Sequence, residues 1–246
     1  GLPLNAGNYT ATITLNEDSG FVFTSADGGY TRQTTFEFAV NPYELTLQSG
    51  IATALAGTYG DYTVTSGAVS GDKITSLTQE TLFGSSVPGT VAYTITVADQ
   101  NDGLLNASTY SFTAGVSDTN YNLASDAIDG VVVSPYRVEG TWALNGGLTL
   151  TYGDPVPSNI DQYISVTLTS TGIPGGLTSV TVSSFTTDYT QGTAAGKTVN
   201  IIVDTYAVDS GSAGNYDFTG ITGSGSLEGQ KKELSITLPA TEEDPY

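Results

Sequence analysis

The sequence predicts an all-β protein made of tandem β-sandwich modules. Three observations carry that expectation: a composition of strand and turn formers, apolar residues alternating with period two between Gly and Pro turns, and an internal repeat of 93 residues. Of the 246 residues, 38% are hydrophobic and 13% charged, enough apolar material for real cores and too little charge for a solvated, disordered chain. At roughly 100–200 residues per domain, one large domain or two to three small ones fit this length. The chain has 30 Gly and 9 Pro and is rich in Thr, Ser, Val and Tyr, whereas the helix formers Lys, Arg and Glu are scarce.

The repeat rests on three anchors in one order. Pro42-Tyr43 returns as Pro135-Tyr136 and Thr58-Tyr59-Gly60-Asp61 as Thr151-Tyr152-Gly153-Asp154, both 93 residues on; Asn120-Tyr121 returns as Asn215-Tyr216 after 95. Between them lies an alternating strand, read as Val91–Val97 in the first copy and Thr198–Val203 in the second. Tyr9–Leu15 reads as the same strand of an earlier copy, since Ala6-Gly7 precedes it as Ala195-Gly196 precedes the later one. Glu233–Leu238 resembles Glu44-Leu45-Thr46-Leu47, the opening strand of the first full copy. The expected organisation is therefore the C-terminal part of a partial unit at 1–41, full units at 42–134 and 135–230, and an opening strand with a tail at 231–246. About 93 residues is an ordinary size for a small sandwich. A start at Gly1, with neither Met nor a signal-like apolar run, reads as a processed product or a piece of a longer protein.

Taken in order, Phe21-Val22-Phe23, Phe36–Val40 and Val131-Val132-Val133 have apolar residues at inward positions and sometimes on both faces, as core strands do. Asp27-Gly28-Gly29, Ser70-Gly71-Asp72, Asp102-Gly103, Asn145-Gly146-Gly147 and Pro174-Gly175-Gly176 supply the positive φ of tight turns. No window holds a helical stripe longer than a turn or two.

Laid out in this way, the chain resembles the MBG-type repeats, the mostly beta, glycine-rich Ig-like modules of bacterial surface and adhesin proteins. The matching features of the first copy are Tyr59-Gly60-Asp61, Gly71-Asp72, Ser85–Gly89 ahead of Tyr93–Val97, Asn120-Tyr121, and Asp129-Gly130 ahead of Val131-Val132-Val133. The second keeps Tyr152-Gly153-Asp154-Pro155, Gly196 and Asn215-Tyr216, with Val199 and Asn200 where the family places a Tyr. The resemblance implies tandem Ig-like β-sandwiches in an elongated array, serving as a stalk or spacer. It carries over no catalytic or binding residue.

Chemistry is bounded mainly by what the chain lacks. Without Cys, Met or His there are no disulfides, thiol nucleophiles, Cys/His zinc sites or His-based triads. A net charge of −19 repels phosphate backbones, so nucleic acid is not an expected partner. No apolar run approaches the roughly 18 residues of a membrane span, so insertion is not expected either. The acidic, Lys-poor, thiol-free composition fits an extracellular protein, at a cell surface or secreted. No pair of carboxylates stands out as a hydrolytic constellation, and the chain is read as not an enzyme.

Four groups of residues are candidates for function, each with a structural alternative. Asp99, Asn101, Asp102, Asp204 and Asp209 supply hard oxygens in and around loops, the ligand type calcium takes, although the 99–103 spacing misses the helix-loop pattern with Gly at its sixth position. Tyr-Gly-Asp could stack and bond a sugar, or form a core Tyr with a capped turn. Asn-Tyr fits a buried tyrosine whose hydroxyl bonds to backbone. Trp142, the single Trp, reads as a core anchor. The functional expectation is a structural stalk whose partners are neighbouring repeats or other copies of the same protein. Its alternatives are a fibre subunit joined by strand donation, or an adhesin module binding host or matrix glycans or proteins.

Overall fold

A computed structural model describes residues 5–98 and 101–237, and strands dominate it, so the protein is all-β. The chain divides into two compact units, residues 1–133 and 134–246.

The first unit opens with β1 (Gly7–Thr14), β2 (Phe23–Thr24), β3 (Tyr30–Thr31) and β4 (Gln33–Val40). β1 pairs antiparallel with β4, and β2 with β3. Register makes the longer hairpin two-faced. Tyr9 lies opposite Phe38, Ala11 opposite Phe36 and Gly7 opposite Val40, while Thr10 faces Glu37 and Thr12 faces Thr35 on the other side. The rings of Tyr9 and Phe38 stack at 5.7 Å. No residue from 5 to 41 is buried.

The rest of this unit carries its core. Its strands are β5 (Tyr43–Leu45), β6 (Gly57–Thr58), β7 (Thr63–Thr65), β8 (Ala68–Ser70), β9 (Tyr93–Val97), β10 (Gly103–Leu104), β11 (Ser108–Val116), β12 (Tyr121–Leu123) and β13 (Ala127–Ser134). One sheet runs β10-β7-β8-β9-β11-β13-β6, and β5 pairs separately with β12, in parallel. Leu45, Phe112, Ala114, Ile128, Val131 and Val133 meet in a single core. Three single-turn helices, Ile51–Ala54, Asp72–Thr75 and Gln79–Phe83, fill the connections. The last starts where the Thr78 hydroxyl accepts the Thr81 N–H at 3.1 Å and stops at Gly84.

The second unit contains β14 (Tyr136–Leu144), β15 (Leu150–Thr151), β16 (Ile164–Leu168), β17 (Val180–Thr187), β18 (Thr198–Val208), β19 (Tyr216–Gly223) and β20 (Gly225–Gln230). Its sheets are β16-β14-β19 and β15-β20-β18-β17. The second order repeats β6-β13-β11-β9 of the first unit, and β14 pairs in parallel with β19 as β5 does with β12. Tyr43 stands opposite Tyr121, and Tyr136 opposite Tyr216. Residues 231–237 are exposed and in no strand; 238–246 lie outside the described residues.

These pairings correct one strand assignment. Val91–Val97 was expected to match Thr198–Val203, yet β18 bonds to the closing strand β20, as β11 bonds to β13. The counterpart of Thr198–Val203 is therefore β11, and β9 matches β17. The hairpin at the head follows the same plan: Tyr9 donates its hydroxyl to the Asn5 carbonyl at 2.7 Å, and Tyr110 of β11 to Asn106 at 3.0 Å. β1 and β4 thus correspond to β11 and β13.

Trp142 is buried on β14, as expected of a core anchor. It faces Gly223 across the parallel pair, where an added Cβ would lie 2.3 Å from the Trp142 carbonyl oxygen and 2.7 Å from the indole. Only a residue without a side chain lets the two strands close here. Gly223→Ala is expected to destabilise this unit by about 2 kcal/mol, as overpacking does, measured as an earlier denaturation midpoint of Trp142 fluorescence. An unchanged midpoint would mean that β19 gives way at no cost.

Candidate functional site

The residues recurring in both units converge on one contact. After β12 begins at Tyr121, that hydroxyl donates to the Pro88 carbonyl; in the second unit Tyr216 donates to Pro174 at 2.8 Å. Each proline is followed by a glycine at φ 75°, Gly89 and Gly175, as a turn with positive φ at its third position requires. At Gly89 a Cβ would also lie 2.8 Å from the Tyr121 hydroxyl. Asn120 adds a bond to the hairpin region, its Oδ1 accepting the Ala6 N–H at 2.7 Å. Asn215 is buried. Both tyrosines of the Asn-Tyr pairs thus bond to backbone.

The Tyr-Gly-Asp pairs behave alike in their turns and unlike in their tyrosines. Asp61 and Asp154 donate their N–H to the carbonyls of Thr58 and Thr151 at 2.9 and 3.0 Å. Asp61 also caps its turn, accepting the Thr58 N–H at 2.8 Å, whereas Asp154 pairs with Lys232 at 2.8 Å. Tyr59 is buried and Tyr152 is half exposed, so the core role holds in the first copy only. The second unit fills that role with Tyr189, whose hydroxyl donates to Thr151 and Asp154. In the first, Tyr62 donates to the Leu55 carbonyl, and burial, helped by Asp61, pushes its phenol up to about 12.

The calcium candidates are divided between the two units, Asp99, Asn101 and Asp102 in the first and Asp204 and Asp209 in the second. Asp99 lies outside the described residues, and Asn101 is exposed in the loop after β9. Asp102 accepts the N–H of Ser66 at 2.6 Å, holding a two-residue β7–β8 turn in which Ser66 and Gly67 both have positive φ. Asp204 accepts the Thr186 hydroxyl at 2.7 Å across β17 and β18. Five residues on, about 17 Å along an extended chain, Asp209 accepts the N–H groups of Thr178 and Ser179 at 3.2 and 2.9 Å and both their hydroxyls. These carboxylates organise turns and strand edges. Among the described residues no three or more Asp or Glu come together in a way that could hold a metal ion.

Two surfaces were not foreseen. On the second unit, Val203, Asp204, Tyr206, Phe218 and Ile221 line an open groove of about 570 Å³, in which the Tyr206 and Phe218 rings stand 5.3 Å apart. On the first, the hairpin exposes its apolar face: Phe36 is 50% exposed and Ile13 46%, and Phe21, in the connection between their strands, is 75% exposed. Alternation in β1 and β4 was legible, but which strands would cover it was not. Among the described residues no helix is long and apolar enough to cross a membrane. No family model, no curated protein and no solved structure matches the chain.

The donors around Asp209, first the Thr178 hydroxyl, hold its carboxyl below the ordinary 3.8. A depressed folded value contributes stability that is present above the unfolded value and lost as pH falls through the folded one. Stability of the second unit is expected to decline as pH drops from about 5 to about 3. In Asp209→Asn the decline is expected to be shallower, as read by denaturant midpoints of Trp142 fluorescence; parallel curves would remove Asp209 from the account.

Proposed function

We propose that the two units are successive copies of one Ig-like β-sandwich module of the MBG type, and that they serve as stalk or spacer in an extracellular bacterial surface or adhesin-like protein. The observation that carries this reading is the repeated closure. In both copies the opening strand pairs in parallel with the strand after Asn-Tyr, and the tyrosine locks onto the Pro-Gly turn before the same sheet strand. A module that ties its own first strand to its last segment can be strung in series. Pro42 and Pro135 fix φ at the junctions and restrict the residue before them, which favours reach over bending. A net charge of −19 and the absence of oxidisable Cys and Met suit long exposure outside a cell.

Residues 42–134 and 135–230, produced apart, are each expected to unfold cooperatively with a midpoint close to that in the intact chain, followed by circular dichroism and, for the second, Trp142 fluorescence. If either is unfolded alone, the serial-module reading falls.

The groove beside Tyr206 favours one alternative role, adhesion to host or matrix glycans. An aromatic pair next to a carboxylate offers a stacking face and an acceptor for sugar hydroxyls. On a glycan array, binding that disappears in Tyr206→Ala is expected under that reading, and a blank array would discard it.

A further inference from the structure

Tyr121 closes its own module, whereas Asn120 beside it reaches out of that module. Every polar group of Asn120 is engaged. Its N–H donates to Asp118 Oδ1 at 2.9 Å and its carbonyl accepts the Tyr43 N–H at 2.8 Å, which ties its main chain to the opening strand β5. The side chain serves the hairpin instead. Its Oδ1 accepts the Ala6 N–H at 2.7 Å and its Nδ2 donates to Asn5 Oδ1 at 3.3 Å, both partners lying just ahead of β1. An amide suits this double contact because it sets an acceptor and a donor side by side, which a carboxylate does not.

The sequence identifies the segment that is held. Leu4-Asn5-Ala6 followed by Tyr9 recurs as Leu105-Asn106-Ala107 followed by Tyr110, and in both places the tyrosine hydroxyl donates to the Asn carbonyl. Asn5-Ala6 is therefore the loop that leads into the central strand of the preceding module. The second copy has Ala194-Ala195 at this place, which retains the main-chain donor and drops the side-chain amide.

We propose that Asn120 is a clasp between successive modules, the surface on which the module at 42–134 holds the Asn-Ala loop of the module before it. This rests on the serial-module reading and names the contact that stiffens the series. The loop lies in a groove of about 390 Å³ lined by Val40, Tyr43, Pro88, Gly89 and Tyr121, so the clasp adjoins the tyrosine lock. Its mechanical effect follows from the connection. β4 passes into β5 through Asn41 and Pro42 alone, and although proline fixes one φ, the remaining dihedrals of a single covalent joint still allow a swing. Gly7 pairs with Val40, which places Ala6 at the same end of the hairpin as that joint. With β4 joined covalently and β1 held by Asn120, a one-point hinge becomes a two-point attachment.

The test is nuclear magnetic resonance on the intact, isotope-labelled chain. Residual dipolar couplings of β1 and β4 are expected to fit the same alignment as those of β9, β11 and β13. Asn120→Ala keeps the main chain that bonds to Tyr43 and removes the grip; Asn5→Ala/Ala6→Pro removes both partners from the hairpin side and leaves the module itself unchanged. In each variant β1 and β4 should require an alignment of their own while β9, β11 and β13 keep theirs. In Asn120→Ala the Ala6 amide should also exchange about tenfold faster, the size of one net hydrogen bond. Separate alignments in the unaltered chain overturn the proposal. So does a shared alignment that survives the hairpin-side variant, since the Asn41-Pro42 joint alone would then set the hairpin's freedom. If Asn120→Ala disturbs β11 as well, the hairpin-side variant decides. None of these outcomes bears on whether residues 42–134 fold alone, which is the test of the serial-module reading.

Discussion

Each unit is held shut by a parallel pairing between its opening strand and the segment that follows Asn-Tyr. Parallel neighbours cannot be joined by a tight turn, so nearly the whole unit must be wound between them. The Asn122 side chain, for example, donates to Glu44 at 2.6 Å across 78 residues of chain. Closing a loop of that size costs entropy, but the cost grows only slowly with length. Against it stand the full burial of Leu45 in one copy and Val138 in the other, about 1.5–3 kcal/mol for each such side chain, and the tyrosine bond to the Pro-Gly turn. All of these gains arrive together when the ends meet. A module of this kind is complete or open, with little between.

That constraint explains why like sequences have unlike surroundings. Leu45 in β5 and Leu234 in a stretch of like sequence that forms no strand are, respectively, sealed and bare; Val131 and the hairpin residues that correspond to its strand differ in the same way. Composition does not separate the two cases. What differs is whether an opening strand is paired beside the closing hairpin. The two-faced register of β1 and β4, with Thr and Glu opposite the aromatic side, is the pattern of a strand pair that expects cover on one face and water on the other.

Much of this was legible in the sequence, because closure uses residues with few substitutes. A tyrosine long enough to reach a backbone carbonyl recurs in the Asn-Tyr anchor, and in each unit it meets a Pro-Gly turn. Trp142 could be read as buried for a similar reason: a large ring on an alternating strand has an inward position open to it, and Gly223 leaves the room. The register between copies was not legible in the strands themselves. Val91–Val97 and Ser108–Val116 both alternate Thr with apolar residues, and alternation states which face is inward without stating which neighbour a strand has. The bonding of the acids was not legible for a different reason. Asp102 and Asp209 spend their oxygens on backbone N–H groups of nearby turns, a use that a loop sequence does not distinguish from an open ligand set.

The two copies diverge where closure makes no demand. Between β6 and β9 the first unit places the β7–β8 hairpin and two single-turn helices; between β15 and β17 the second places two short 3-10 turns and β16, which joins β14 instead. The strands β6-β13-β11-β9 and β15-β20-β18-β17 keep one order through this exchange, although β9 pairs with β8 and β14 with β16 inside the exchanged segments. Each middle segment therefore varies in its strands and turns but keeps its Pro-Gly end, where a change at Gly89 or Gly175, like one at Tyr121 or Tyr216, acts on the lock itself. A family of such modules would be constant in how it closes and diverse in what its middle shows to the outside.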